Sequence, residues 1–251
     1  MTSRPRVLRL LGGIALGSAV ALAGVAPVTA ADGYRQDVAR RADFVPQTNF
    51  VQCVGASLQM MINMIEPGRD RSAREQLRLQ KLARKLSPSR RDGSIRRGAS
   101  VRGWVKVLHR EVDQPYRLVG ANSLNGAVKL AARAIERTGA PVGLLVWRGR
   151  HAWVMSGFTS TKPIEQGGKV TSVTIYDPLY PYGSSIWGPS PKPGVPITVK
   201  ALGRQFVKRQ TNNTNVNNRF TTTLQQAYPT LSGKWVLVLP YAPHAPVRRP
   251  A

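Results

Sequence analysis

The sequence predicts an α+β fold, and three observations predict it. Apolar residues recur at helical spacing through the first half of the chain. From Val142 onward the texture changes to short β-prone runs separated by turns. With 251 residues, 42% of them hydrophobic, the chain can bury a core, which excludes wholesale disorder. Helices first and strands second suggest an α+β fold.

The elements follow in order. Asp32–Thr48 reads as an extended entry segment. In Cys53–Ile65, Leu58, Met61, Ile62 and Ile65 fall at helical spacing, and Pro67-Gly68 ends the helix. Ser72-x-x-Glu75 is a capping box, with Leu77, Leu79, Leu82 and Leu86 following among Arg and Lys. Ser87–Ala99 is a basic loop. Ser100–Val112 is a third helix with Val101, Trp104, Val105 and Leu108 facing inward. Asn122 or Ser123 caps a fourth, Leu124–Arg137, which Thr138-Gly-Ala-Pro141 stops.

Strands come next. Val142–Trp147 is apolar, and Arg148-Gly149-Arg150 is a tight turn. His151–Thr159 and Val170–Asp177 form a hairpin around the polar loop Ser160–Lys169. Ser184–Pro196 is a loop, and Ile197–Lys208 fits a helix or a strand equally. Thr211–Asn218 is a polar tract. Lys234–Tyr241 is a last strand, and Ala242–Ala251 a Pro-rich tail.

Residues 1–30 read as an export signal. Arg4, Arg6 and Arg9 precede an uncharged stretch from Leu10 to Val28, and Val28-Thr29-Ala30 is a small-residue cleavage pattern. Residues 31–241 are then the expected domain and 242–251 the tail. Cleavage removes those three Arg and no acid, so the net charge of +25 falls to +22. No later stretch is apolar and long enough to span a membrane. The excess charge points to anionic surroundings, with cell-wall polymers among the expected partners. The densest basic region, Arg69–Arg102, reads as a charged helix and loop. No recognition helix, zinc-finger spacing or aromatic RNA-binding signature is present, which argues against sequence-specific nucleic-acid binding.

Cys53 is the one cysteine, so no intrachain disulfide or cysteine-based zinc site can form. A lone thiol is most often a small buried hydrophobe. Here it opens a helix of an exported chain, where the macrodipole and unbonded N–H groups favour the thiolate. His151 opens one strand of the hairpin and Asp177 closes the other. In a regular ladder with Phe158 opposite Val170, His151 and Asp177 face each other directly. Gln47, six residues before Cys53, supplies an amide able to donate to an oxyanion beside the Cys53 N–H. His109 and His244 read as surface residues.

Gln47-x5-Cys53-x-x-Ala56-Ser57, Gly149-x-His151-Ala-Trp-Val and Ile175-Tyr-Asp177-Pro178 together resemble the papain-like cysteine peptidases. Among these the chain is most similar to the bacteriocin-processing, double-glycine peptidases (peptidase C-39-like) and their stand-alone secreted relatives, over roughly Val45–Pro178. The resemblance implies a papain-like fold, its N-terminal helices with the nucleophile helix packed on an antiparallel β-sheet, and with Cys53 as nucleophile, His151 as base then acid, Asp177 as orienting acid and Gln47 as oxyanion donor. That family usually has Gly-Pro after the cysteine, where this chain has Val54-Gly55. No phosphate-binding loop accompanies the motifs, so the fused exporter-ATPase type is excluded. The chemistry expected is hydrolysis of a peptide or isopeptide bond, needing no metal or cofactor. Transglutaminase-type acyl transfer and a non-catalytic wall-binding module on the same fold are the competing readings.

Overall fold

The computed structural model describes residues 33–68, 70–88, 97–210 and 231–241. The expected signal at 1–30, the tract Thr211–Asn218, the tail Ala242–Ala251 and His244 lie outside the described residues. The structure is a mixture of helices and antiparallel sheet, as the sequence predicts.

The entry segment is not wholly irregular. Tyr34–Asp37 forms strand β1, and Arg41–Asp43 a short 3-10 turn. Asp43 is fully buried. Its carboxylate accepts from the Arg40 backbone N–H at 2.8 Å and from the Arg40 guanidinium, and it pairs with Arg71 at 3.5 Å. A carboxylate can be buried this deeply only when its charge and lone pairs are matched in this way.

Helix α1 spans Cys53–Ile65 and is buried from Val54 to Met64. A helix buried on all sides needs partners all round. Helices α2 (Ala73–Lys85) and α3 (Val101–Glu111) pack on it, and the sheet covers the rest. Ser72 Oγ accepts the Glu75 N–H at 3.1 Å, so the cap read from the sequence starts α2. Ser100 and Ser123 cap α3 and α4 (Leu124–Thr138) in the same way. Gly139, at φ 62°, ends α4 in the left-handed conformation that favours glycine.

Between α3 and α4 lies β2, Tyr116–Ala121, which the expected order of helices first and strands second does not contain. The later strands are β3 (Val142–Val146), β4 (His151–Ser160), β5 (Val170–Tyr176), the small pair β6 (Gly183–Ser184) and β7 (Gly188–Pro189), β8 (Pro196–Thr198) and β9 (Trp235–Pro240). The ambiguous run after Pro196 is both a strand and a helix, because β8 leads directly into α5, Val199–Gly203.

The main sheet runs β2-β9-β3-β4-β5-β8, with antiparallel pairing throughout. The ten-residue β4 is its axis. Its first half pairs with β3, and Gly157–Ser160 pair with β1 on the same side. Ala152 and Val154 face the core shared with α1, α2 and α3, while Trp153 and Met155 face a second core with α4 and α5. Burial on both faces explains why β4 reads as a continuous apolar run. Gly143 in β3 lies against Trp104, where a Cβ would come within 2.6 Å of the indole ring.

Candidate active site

The site forms where the N-terminus of α1 meets the end of the sheet at which β4 begins and β5 ends. Cys53 is the first residue of α1, partly buried and a free thiol. Its helix therefore points its open N-terminal N–H groups toward this corner.

Two glutamines on α2, four residues apart, hold the loop before the cysteine. Gln76 accepts the Thr48 N–H and donates to Pro46 O, both at 2.9 Å. Gln80 accepts the Gly55 N–H at 2.9 Å and donates to Val51 O at 2.8 Å. Both glutamines are buried, and together they satisfy backbone groups of a loop that has no ladder partner. Gly55 is required by the same crossing, since a Cβ there would lie 2.8 Å from Gln76 O and 2.9 Å from the Gln80 Cβ. Val54-Gly55 thus suits the close approach of α2.

His151 lies opposite Val146 at the start of β4 and is 4% exposed. Its Nε2 is 2.7 Å from Asp177 Oδ1. Asp177, just past β5, is fully buried, and its Oδ1 also accepts the Leu179 N–H at 2.8 Å. The expected register needs correction. The ladder pairs Phe158 with Val173 and Val154 with Tyr176, with irregularities after Met155 and after Thr159. Continuing that pairing by one residue puts Asp177 opposite Trp153, so His151 and Asp177 meet as diagonal neighbours. The pair forms because the imidazole is long enough to span the diagonal.

The remaining ring nitrogen of His151 is not used by Asp177, and Cys53 lies near enough to the ring to act on its charge. Burial works against a charge on this ring. The hydrogen bond that the ring gives to Asp177 and the nearness of Cys53 outweigh it and hold the His151 pKa up at about 9. The corner therefore favours a positive charge on the His151 ring.

Gln47 stands on the loop before α1. Its backbone N–H donates to Pro178 O at 2.8 Å, tying this loop to the turn after Asp177. Its Nε2 gives one hydrogen to Asn49 O at 2.9 Å, and its Oε1 is buried with no partner among the described residues. The two tied loops enclose a cleft of about 220 Å³ lined by Gln47, Thr48, Phe50, Leu179, Tyr180 and Tyr182. Phe50 and Tyr182 are 87% and 77% exposed at its rim.

Residues not singled out by sequence complete the corner. The Trp147 ring stacks on His151, and Gln205 fixes Trp147 through its side chain and backbone carbonyl. The only sequence signal for them was polar residues inside otherwise apolar or helical runs, as with Gln76 and Gln80. His109 is exposed on α3 and binds the Tyr116 backbone, away from the site.

Among the described residues no cluster of His, Cys, Asp and Glu could hold a metal ion, and no helix is long and apolar enough to cross a membrane. No protein-family model matches the chain, and no curated protein matches it. Fold and site define an α+β protein with a Cys–His–Asp corner at the end of an antiparallel sheet.

Proposed function

We propose that the chain is a secreted cysteine peptidase or amidase of papain-like fold, of the stand-alone double-glycine peptidase type, that hydrolyses a peptide or isopeptide bond. The observation that carries this reading is the buried His151–Asp177 hydrogen bond of 2.7 Å, with Cys53 at the start of α1 beside the same imidazole. A histidine held between a carboxylate and a thiol at a helix N-terminus is the arrangement that generates a nucleophilic thiolate.

In this mechanism Asp177 accepts from Nε2–H and fixes the ring so that its other nitrogen faces the thiol. Cys53 passes its proton to that nitrogen and attacks the substrate carbonyl carbon. The oxyanion is received by the Cys53 N–H and by the second amide hydrogen of Gln47. His151 returns the proton to the departing amine, and water then releases the acyl group from sulfur. The cleft between the Gln47 loop and the Leu179–Tyr182 loop adjoins this centre, and Phe50 and Tyr182 at its rim suit apolar side chains of an extended peptide.

The test is alkylation by iodoacetamide at pH 5.5, where an ordinary thiol is almost wholly protonated. Cys53 is expected to react much faster than free cysteine, and His151→Ala to abolish the advantage. Reactivity no greater than that of a free thiol ends the proposal. A peptide library with and without an added primary amine then separates hydrolysis from acyl transfer to amines.

A further inference from the structure

We propose that a second site, on the flank of the β3–β4 turn, binds the phosphate groups of an anionic ligand. It is an open pocket of about 550 Å³ lined by Arg148, Lys208, Arg209, Gln210, Ser232 and Trp235, among others. Every charged side chain in its lining is positive.

The chain brings these cations together deliberately. Trp147 and Arg148 both have positive φ, 54° and 57°, and Gly149 follows at 95°. Non-glycine residues hold this conformation only when their surroundings impose it, and such strain clusters at functional sites. Here the Gln210 N–H binds Arg148 O at 3.1 Å, which pins the turn to the segment carrying Lys208 and Arg209. The Arg209 N–H binds Lys234 O at 2.8 Å, and Gly233 returns a bond to Arg209 O at 2.9 Å, so the same segment is fastened to the start of β9. The Arg209 stem runs across Gly149, close enough that a Cβ there would lie 3.0 Å from its Cγ.

Acids are scarce around Arg148 and Lys208. After Asp177 the sequence contains nine Lys and Arg and no Asp or Glu. The acids nearest Arg148 in sequence are committed elsewhere: Glu136 accepts the Ile164 and Glu165 N–H groups, and Glu165 pairs with Arg133 and Arg137. Arg148 and Lys208 have no acidic partner among the described residues. Each lies over an indole instead, Arg148 over Trp187 and Lys208 over Trp235. Aromatic faces hold cations in place without neutralising them. Guanidinium forks beside a lysine match a phosphate, which takes bidentate bonds and more than one charge.

The site does not depend on the thiol, so it is tested in full-length Cys53→Ala protein by calorimetric titration at low salt. The probes are inorganic phosphate, tripolyphosphate and a glycerol-phosphate oligomer. Saturable binding is expected, weakening as salt rises. The double variant Arg148→Glu/Lys208→Glu should lose about tenfold in affinity for each cation reversed. A control with the same charge change on exposed residues of α2 and α3, Lys81→Glu/Lys106→Glu, should bind as before. Equal losses in both variants, or none in the pocket variant, would overturn the proposal. If the double variant fails to fold, Lys208→Gln alone carries the test with its tenfold loss. Binding of the compact phosphates marks a small ligand, and binding of the oligomer alone marks a phosphodiester polymer.

Discussion

The indole of Trp147 lies stacked on the imidazole of His151, with ring centroids 4.1 Å apart and planes 21° from parallel. Trp147 is held in turn by Gln205, whose Oε1 accepts the indole N–H at 2.9 Å and whose backbone carbonyl accepts the Trp147 N–H at 3.0 Å. Gln205 completes the chain by donating to Pro189 O at 2.9 Å. An imidazole stacked on one face and bonded at Nε2 to Asp177 has one orientation. A stacked indole also favours the charged imidazolium.

Truncation of Trp147 should therefore slow Cys53 without unfolding the protein. Trp147→Ala removes a stacking interaction worth ~1 kcal/mol, so alkylation of Cys53 at pH 5.5 should slow by ~5-fold. Trp147→Phe keeps the stack and should stay near the wild-type rate. Equal rates for all three would show that the ring does not position His151.

Asp177→Asn should lower the His151 pKa from about 9 toward its ordinary value of 6.5, because it removes the strongest of the interactions that raise it. Following the imidazole C–H signals by NMR across pH 5 to 10 reads this directly. Alkylation at pH 5.5 should fall by ~100-fold, since an amide can present the wrong group to Nε2 and release the ring. An unmoved titration midpoint would remove Asp177 from the site.

Stability should depend on pH in a set direction. The folded pKa of His151, about 9, lies above its unfolded value near 6.5, so folding is favoured by the proton it binds. This contribution is complete below pH 6.5 and is lost as pH rises through about 9. Its full size is on the order of 3 kcal/mol. Urea midpoints measured from pH 6 to pH 9.5 should fall for the wild type and change much less for His151→Gln.

Gly55→Ala should destabilise the fold, although alanine is the better helix former. The added methyl meets the Gln76 carbonyl at 2.8 Å, so α2 must move away from α1. Overpacking of this kind costs ~1–3 kcal/mol. It should also loosen the Gln80 bonds to Gly55 and Val51, and so reduce alkylation of Cys53 beyond what the loss of stability explains. A thermal midpoint at or above the wild type would contradict this.

Local patterns were legible where the signal lies within a few residues. The bounds of α1, the Ser72 cap, the inner face of α3 and the last strand all match the sequence reading. Strand β2 was hidden because Tyr116–Ala121 carries Arg117 and Gly120, and its alternation shows only beside β9. The ladder register was unreadable for a related reason. The irregularities in the β4–β5 ladder leave no mark in composition, yet each moves the pairing by a residue.

By itself the sequence determined which residues are chemically able to act: a single thiol at a helix start, a histidine and an aspartate at strand ends, and an uncompensated excess of positive charge. These follow from residue type and short-range spacing. Only the tertiary structure decided that His151 reaches Asp177 on a diagonal, that Trp147 and Gln205 lock the ring, and that Arg148, Lys208 and Arg209 share one pocket. Those contacts join segments tens of residues apart, and the sheet register and helix crossings that create them are set by packing of the whole core rather than by any local preference.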